Sequence, residues 1–279
     1  MLNTLLMHLH YISPQPIHQF SVASVSPRGQ GFEWVNIPLL SALSDDLPDS
    51  LDAILFAGDI QAIDNPFVLL EQRRLAGEVI AEQLVTLAKS RLLPPVHKTG
   101  VLLTGDLYTD PNLQKRGQTG NVVSVWNSFA DNFRWVVGVA GNHDLFNGQA
   151  ISSWKPKLIH GTAINKDGLC IAGISGIVGN NGKPWRVPLK QHTRWLKELL
   201  SQTPDILMFH EGPASPDGTQ PGNINILKEL NKLRYASLVV SGHVHWRYPL
   251  SGEATSLQVL NVDSRIVLVT REPIEPLRL

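Results

Sequence analysis

Two tetrapeptides, Gly141-Asn142-His143-Asp144 and Gly242-His243-Val244-His245, place an amide oxygen, several imidazoles and a carboxylate directly after short apolar runs. Other apolar runs end in the same manner, in Gly58-Asp59, in Gly105-Asp106 and in His210. One Gly-Asp pair is ordinarily a turn, and one histidine is ordinarily a core or surface residue. Their joint placement carries the weight. Asp59, Asp106, Asn142, His143, His210, His243 and His245 all follow runs that read as buried strands. Ligands of open α/β sheets bind outside such carboxyl ends. Mixed nitrogen and oxygen donors suit Mn, Fe, Zn or Ni better than Ca. The number of donors suits two divalent metal ions. His8, His18, His97, His160 and His192 lack this placement and read as ordinary residues.

The elements that must position these groups are legible as periodicity. Ala53–Ala57, Val101–Thr104 and Trp135–Ala140 are short continuous apolar runs, as expected for strands covered on both faces. Between the first two, Asn65-Pro66 predicts the start of a helix running to about Ser90, with Asn65 as its N-cap. A second helix is predicted from about Asn121 to Phe133, with Val122, Val125, Trp126 and Phe129 inward. The second half is richer in strands: Leu169–Ile174, Ile206–Phe209, Leu238–Ser241, Gln258–Val262 and Ile266–Thr270. Helices Gln191–Ser201 and Ile226–Leu233 interrupt it. This order predicts two packed sheets with helices outside. Pro14–Pro38 and Gly212–Asn225 read as surface loops.

Composition excludes several classes. The 279 residues are 43% hydrophobic and 17% charged, enough for a sizeable core and unlike a disordered chain. Net charge is +0, so there is no strong nucleic-acid signal. The single cysteine, Cys170, forbids an internal disulfide and reads as a small core residue of a cytoplasmic protein. Met1–Ile12 has no Lys or Arg and is a poor signal peptide. No run approaches the ~18 apolar residues that a membrane span requires.

In order and spacing, the Gly-Asp, Gly-Asp, Gly-Asn-His-Asp, His and Gly-His-x-His series resembles the motifs of the calcineurin-like metallophosphoesterase superfamily. The resemblance covers about residues 50–270. It implies a four-layer α/β/β/α sandwich of two mixed sheets with flanking helices. Residues 51–279 would form this domain, and residues 1–50 a strand and loop extension packed on it. It implies one metal held by Asp59, Asp106 and His245, and a second held by Asp106, Asn142, His210 and His243. Asp106 would bridge the two ions, about 3.5–4 Å apart, and the water or hydroxide between them would attack a phosphoryl group. His143 would stabilise the transition state or protonate the leaving oxygen, with Asp144 orienting its ring.

The series departs from the family at its first motif, Asp-x-His. Either Asp59-Ile60-Gln61 is that motif with Gln61 in place of histidine, or His8-Leu9-His10 is a degenerate version and Asp106 lies in an insertion. The first alignment is favoured, because the second leaves a complete strand–helix unit and a second Gly-Asp unexplained. Gln61 then offers a neutral amide to the first metal or a hydrogen bond behind it. The loop Leu107-Tyr108-Thr109-Asp110 also lacks the arginine of some protein phosphatases of the superfamily. That leaves a phosphodiester or a small phosphomonoester as substrate.

Tyr108, Arg186 and Trp246 are candidate substrate contacts, with Asn112, Lys183 and Tyr248 beside them. Arg186 and Lys183 belong to the loop Asn180-Asn181-Gly182-Lys183-Pro184-Trp185-Arg186. The alternative function is a scaffold with a protein partner on the same fold, for which Gln61 gives some footing. A dinucleotide-binding module is disfavoured, because Gly58-Asp59-Ile60 is not a Gly-x-Gly-x-x-Gly turn.

Overall fold

A computed structural model describes residues 7–28, 31–147, 156–180, 182–232, 237–252 and 257–274. Residues 1–6, Asn181 and Leu233, which enter the sequence expectations, lie outside this set.

The described residues form four layers. The first sheet runs in the order Tyr11–Ile12, Phe32–Leu43, Arg265–Thr270, Ala53–Gly58, Thr99–Leu103, Trp135–Gly138, Lys157–Leu158, with His18–Val25 paired onto Phe32–Leu43. The second runs Thr162–Lys166, Leu169–Ile174, Ile206–Glu211, Ser237–Gly242, Leu257–Asn261, Leu250–Ser251. Both are mixed in direction. Helices Ala76–Lys89 and Val123–Ala130 cover the outer face of the first, and Leu189–Leu200 and Ile224–Leu230 that of the second. The α/β/β/α sandwich expected from the motif series is therefore present.

Strand alternation explains the layering, since successive side chains face opposite ways. In Ala53–Gly58, Leu55 and Ala57 pack outward with Ile80, Leu84 and Trp126, while Ile54 and Phe56 point into the space between the sheets. There they meet Ile171, Met208, Val240 and Leu260 of the second sheet. Its own outward side chains, Leu207, Phe209, Val239 and Val259, pack with Leu196, Leu199 and Leu230. Every position of the central strands is buried, which is why they read as unbroken apolar runs.

Local readings differ from the structure in two places. The helix expected from Asn65 starts at Ala76 instead. Asn65 Oδ1 accepts from Phe67 N–H at 2.9 Å, so its side chain closes a turn rather than capping a helix. Glu78 supports the true start, its Oε1 accepting from Leu75 N–H at 3.3 Å.

Pro14–Pro38, read as a surface loop or appendage of the strand and loop extension, holds strand His18–Val25 and the first part of its antiparallel partner Phe32–Leu43. Phe32–Leu43 also runs parallel to Arg265–Thr270, so this segment belongs to the first sheet. Phe20, Val22, Ile37 and Leu39 bury its inner face. Prolines at both ends, with Ser21, Ser24, Ser26 and Pro27 inside the segment, masked that alternation.

Candidate metal centre

Ala53–Gly58, Thr99–Leu103 and Trp135–Gly138 are parallel neighbours, so Asp59, Asp106 and Asn142 emerge side by side at one edge. From the second sheet, Ile206–Glu211 and Ser237–Gly242, also parallel neighbours, bring His210 and His243 to the same edge. His8-Leu9-His10 lies elsewhere: Leu9 is buried against Gln258, and His8 and His10 face Asp46 and Asp45. Topology thus puts Asp59 and Asp106 in the site together and removes the alternative register.

The backbone at these ends is sharply turned. Asp59, Asp106 and His243 have φ of 52°, 51° and 68°, in the left-handed region that non-glycine residues seldom adopt and that recurs at functional sites. The preceding glycines permit close approach. A Cβ on Gly141 would strike the Asp106 carboxylate, and one on Gly242 would strike Asp59 Oδ2. These two glycines are needed for the room they leave.

Asp106, His210 and His243 each offer a donor atom, all within 4.8 Å of one another, the one such trio among the described residues. Asn142 Oδ1 lies 3.2 Å from His210 Nε2, and Asp106 Oδ2 lies 3.5 Å from the same nitrogen. His210 Nδ1–H donates to the Thr104 carbonyl at 2.9 Å, which turns Nε2 into the cluster. Asp59 Oδ2 accepts the His243 backbone N–H at 3.0 Å, and Asp106 Oδ1 accepts that of His143 at 2.9 Å. Gln61 Nε2 donates to Asp106 Oδ2 at 3.1 Å. Asp59, Gln61, Asp106 and His243 open onto a cavity of about 580 Å³, also lined by His143, His245, Arg116 and Asp263.

Burial dominates the electrostatics. It opposes charge on Asp106, yet the His210 and His143 charges hold that carboxyl down to about 2. Burial likewise opposes charge on His210, but Asp106 and Asp59 push it up to about 10. Burial and then the Asp263 and Asp106 charges raise Asp59, with His210 opposing. Burial, together with the His210 and Arg186 charges, brings His243 down to about 4.

A family model for calcineurin-like phosphoesterases matches residues 52–247. The chain belongs to that family. No curated protein matches it. A solved protein of unknown function, AQ665 from Aquifex aeolicus, is similar at 15% identity over 77% of this chain and 95% of its own, with a TM-score of 0.35. A likeness of that size carries no argument about function.

Family members hold divalent metals, and the residues here fit such ions. The cluster offers carboxylate oxygen, amide oxygen and imidazole nitrogen from buried, pre-oriented groups. The Asp106 and Asp263 carboxylates have only histidines as ion-pair partners among the described residues. Among the described residues no Lys or Arg forms an ion pair with either, although the Asp263 charge does act on Arg265. His210 is charged in the metal-free chain at neutral pH, since its value is about 10. Its pairing with Asp106 stabilises the metal-free fold fully below the ordinary imidazole value and loses that effect as pH rises through about 10. A metal ligand must be neutral, so loading expels this proton. Mn²⁺ affinity is therefore expected to rise about tenfold per pH unit from about 6.5 to 9. Calorimetric titrations in buffers of different ionisation enthalpy should count at least one proton released per chain. Affinity that does not change with pH would contradict it.

The structure corrects two expectations. Asp144, read as the group that orients His143, is fully buried and spends its carboxylate on the backbone. Its oxygens accept from the N–H groups of Gly141 at 2.8 Å and of Asp106 and Leu107 at 2.9 Å. Burial, then the Asp106 charge, raises this carboxyl to about 6, with the Gly141 and Leu107 amides opposing. His143 Nδ1 is buried without a hydrogen-bond partner. Trp246, read as a substrate contact, is 1% exposed and donates its indole N–H to the Pro221 carbonyl at 2.7 Å. It is a core residue: proximity in sequence to a motif does not fix which way a side chain points.

Other expected positions are distributed unevenly. Arg186 sits close enough for its charge to act on His243. Tyr108 packs its ring on Gly120 instead of lining the cavity, and Asn112 bonds within its own turn to Asp110. Tyr248 is 58% exposed, with the Arg247 guanidinium 5.3 Å above its ring. His245 stands apart from the trio. Its Nδ1 lies 3.4 Å from Asp263 Oδ2, and Arg265 Nη2 lies 3.3 Å from both ring nitrogens.

Sequence reading missed Arg116, Asn36 and Asp263, which line the same cavity. Arg116 lies on a loop and Asn36 on a strand within the segment read as loop, so neither had a pattern to reveal it. Asp263 did have one, because it follows the buried strand Leu257–Asn261 as Asp59 follows Ala53–Gly58.

Proposed function

We propose that the chain is a metal-dependent phosphoesterase that hydrolyses a phosphodiester or small phosphomonoester with two divalent ions. The observation that carries this reading is the convergence of Asp106, His210, His243 and Asn142, with Asp106, His243 and His143 facing one cavity. In this reading Asp106, Asn142, His210 and His243 would hold one ion, and Asp59 and His245, together with Asp106, the other. Bound divalent ions supply charge against the phosphoryl oxygens and make water a stronger nucleophile near neutral pH. Arg116 and Arg186, at the cavity wall and beside His243, orient the ester through its non-bridging oxygens. His143 faces the cavity with its backbone fixed to Asp106, and its ring gives a proton to the departing oxygen.

The scaffold reading has one observation in its favour: the Gln61 amide occupies a lone pair of the bridging carboxylate. A scaffold, however, has no use for a histidine that lines this cavity with its backbone fixed to Asp106. The test is purified protein assayed with aryl phosphodiester and monoester under added Mn²⁺. Turnover that depends on Mn²⁺ supports the hydrolase, and its absence with metal bound supports the scaffold.

His143→Ala is expected to slow turnover by about 10²–10⁴-fold, the usual worth of a positioned proton donor, at unchanged metal content. Loss of metal in that variant would give His143 a ligand role instead.

A further inference from the structure

We propose that Asp263 takes the place of the histidine missing at Gln61, so that the first metal is held by Asp59, Asp106 and Asp263, with His245 as the nitrogen donor. This rests on the phosphoesterase reading.

The first site lacks a donor where Gln61 stands. Its amide presents Nε2 to Asp106 Oδ2 at 3.1 Å, and an N–H group donates hydrogen bonds, not electron pairs, to its neighbours. Asp263 is placed to supply the missing oxygen. It lies in the link between Leu257–Asn261 of the second sheet and Arg265–Thr270 of the first, where the chain crosses the mouth of the cleft. A backbone bridge joins it to Gly58, which sets it beside Asp59. Its charge acts on both Asp59 and His243, and it lines the same cavity as Gln61 and Asp106.

The carboxylate is also oriented. Ser264 Oγ donates to Oδ1 at 2.8 Å, while Oδ2 lies 3.4 Å from His245 Nδ1. Arg265 donates to the Asp263 backbone carbonyl, not to the carboxylate. The residue is 8% exposed. Asp59, Asp106 and Asp263 thus bring three carboxyl groups to one end of the cavity, and they would draw together around a cation, since only Asp106, His210 and His243 already stand within 4.8 Å of one another among the described residues. The His245 side chain is 63% exposed and already pairs with Asp263, and ligation would require Arg265 Nη2, 3.3 Å from both ring nitrogens, to give way. Replacing an imidazole by a carboxylate makes the first site harder, favouring Mn²⁺ over Zn²⁺ there.

The test titrates Mn²⁺ into the metal-free full-length chain, read by calorimetry and by the electron paramagnetic resonance of spin-coupled ion pairs. The wild type is expected to bind two ions. Asp263→Asn should keep one and bind the other at least ~10²-fold more weakly, losing the coupled signal. Adding Gln61→His to that variant should restore the second ion, which a merely structural role for Asp263 would not allow. Asp263→Ser serves the same purpose should the asparagine variant fail to fold. Two ions at wild-type affinity in Asp263→Asn would overturn the proposal and leave the phosphoesterase reading intact. One ion in the wild type would overturn it as well. No ion in the wild type would overturn that reading itself.

Discussion

Asp106→Asn is expected to abolish hydrolysis and metal binding together. The Asp106 carboxylate meets three neighbours in the candidate centre at once. Oδ1 receives the His143 backbone N–H, and Oδ2 faces both Gln61 Nε2 and His210 Nε2. The amide is the same size but removes the charge. It also offers an N–H₂ group where the surroundings already donate, so one face of the side chain meets a donor whichever way it turns. Neither ion keeps its shared ligand. Turnover should fall by more than about 10³-fold, beyond the about 10²–10³ that removal of one electrostatic contact costs in an active site. Metal content by elemental analysis should fall toward zero. His210 loses the partner that raises it, so the proton released on metal addition should vanish too. A variant that hydrolyses at near wild-type rate would sink the two-ion reading.

Asp144→Ala is expected to act on the fold, not on a chemical step. Its carboxylate joins the turns after Thr99–Leu103 and Trp135–Gly138 by accepting from Asp106, Leu107 and Gly141. Truncation leaves three amide donors without an acceptor at a fully buried position. With about 1–3 kcal/mol per orphaned donor and some relief from entering water, the loss should be about 3–5 kcal/mol. Denaturant unfolding of the metal-free chain measures it. Asp106 would lose its position as the turn relaxes, so metal affinity should fall in parallel. If Asp144 served only to orient His143, stability would stay nearly unchanged while turnover fell. Unchanged stability would therefore make Asp144 an orienting group after all.

The identity of the metal-competent residues was legible because chemistry and burial coincide at strand ends. An unbroken apolar run that stops at Gly-Asp or at His announces a polar group at the rim of a buried sheet, whatever the rest of the chain does. The same periodicity predicted the layers, since Leu55 and Phe56 must part to opposite faces of one strand. Where local side-chain hydrogen bonds compete with periodicity, as at Asn65, the pattern placed a helix start well before Ala76, where the helix begins.

What the sequence by itself determined is the buried strands and most of the polar residues that end them, Asp263 excepted. Tertiary structure alone decided how those donors are shared. Asp144 binds amides brought together by two parallel strands, and Trp246 turns inward to Pro221, although both stand next to motif residues. Asp263 joins Asp59 because two sheets close over one cleft, bringing together residues far apart in the chain. The direction of a side chain depends on what packs against it, and that is a property of the folded layers, not of the spacing along the chain.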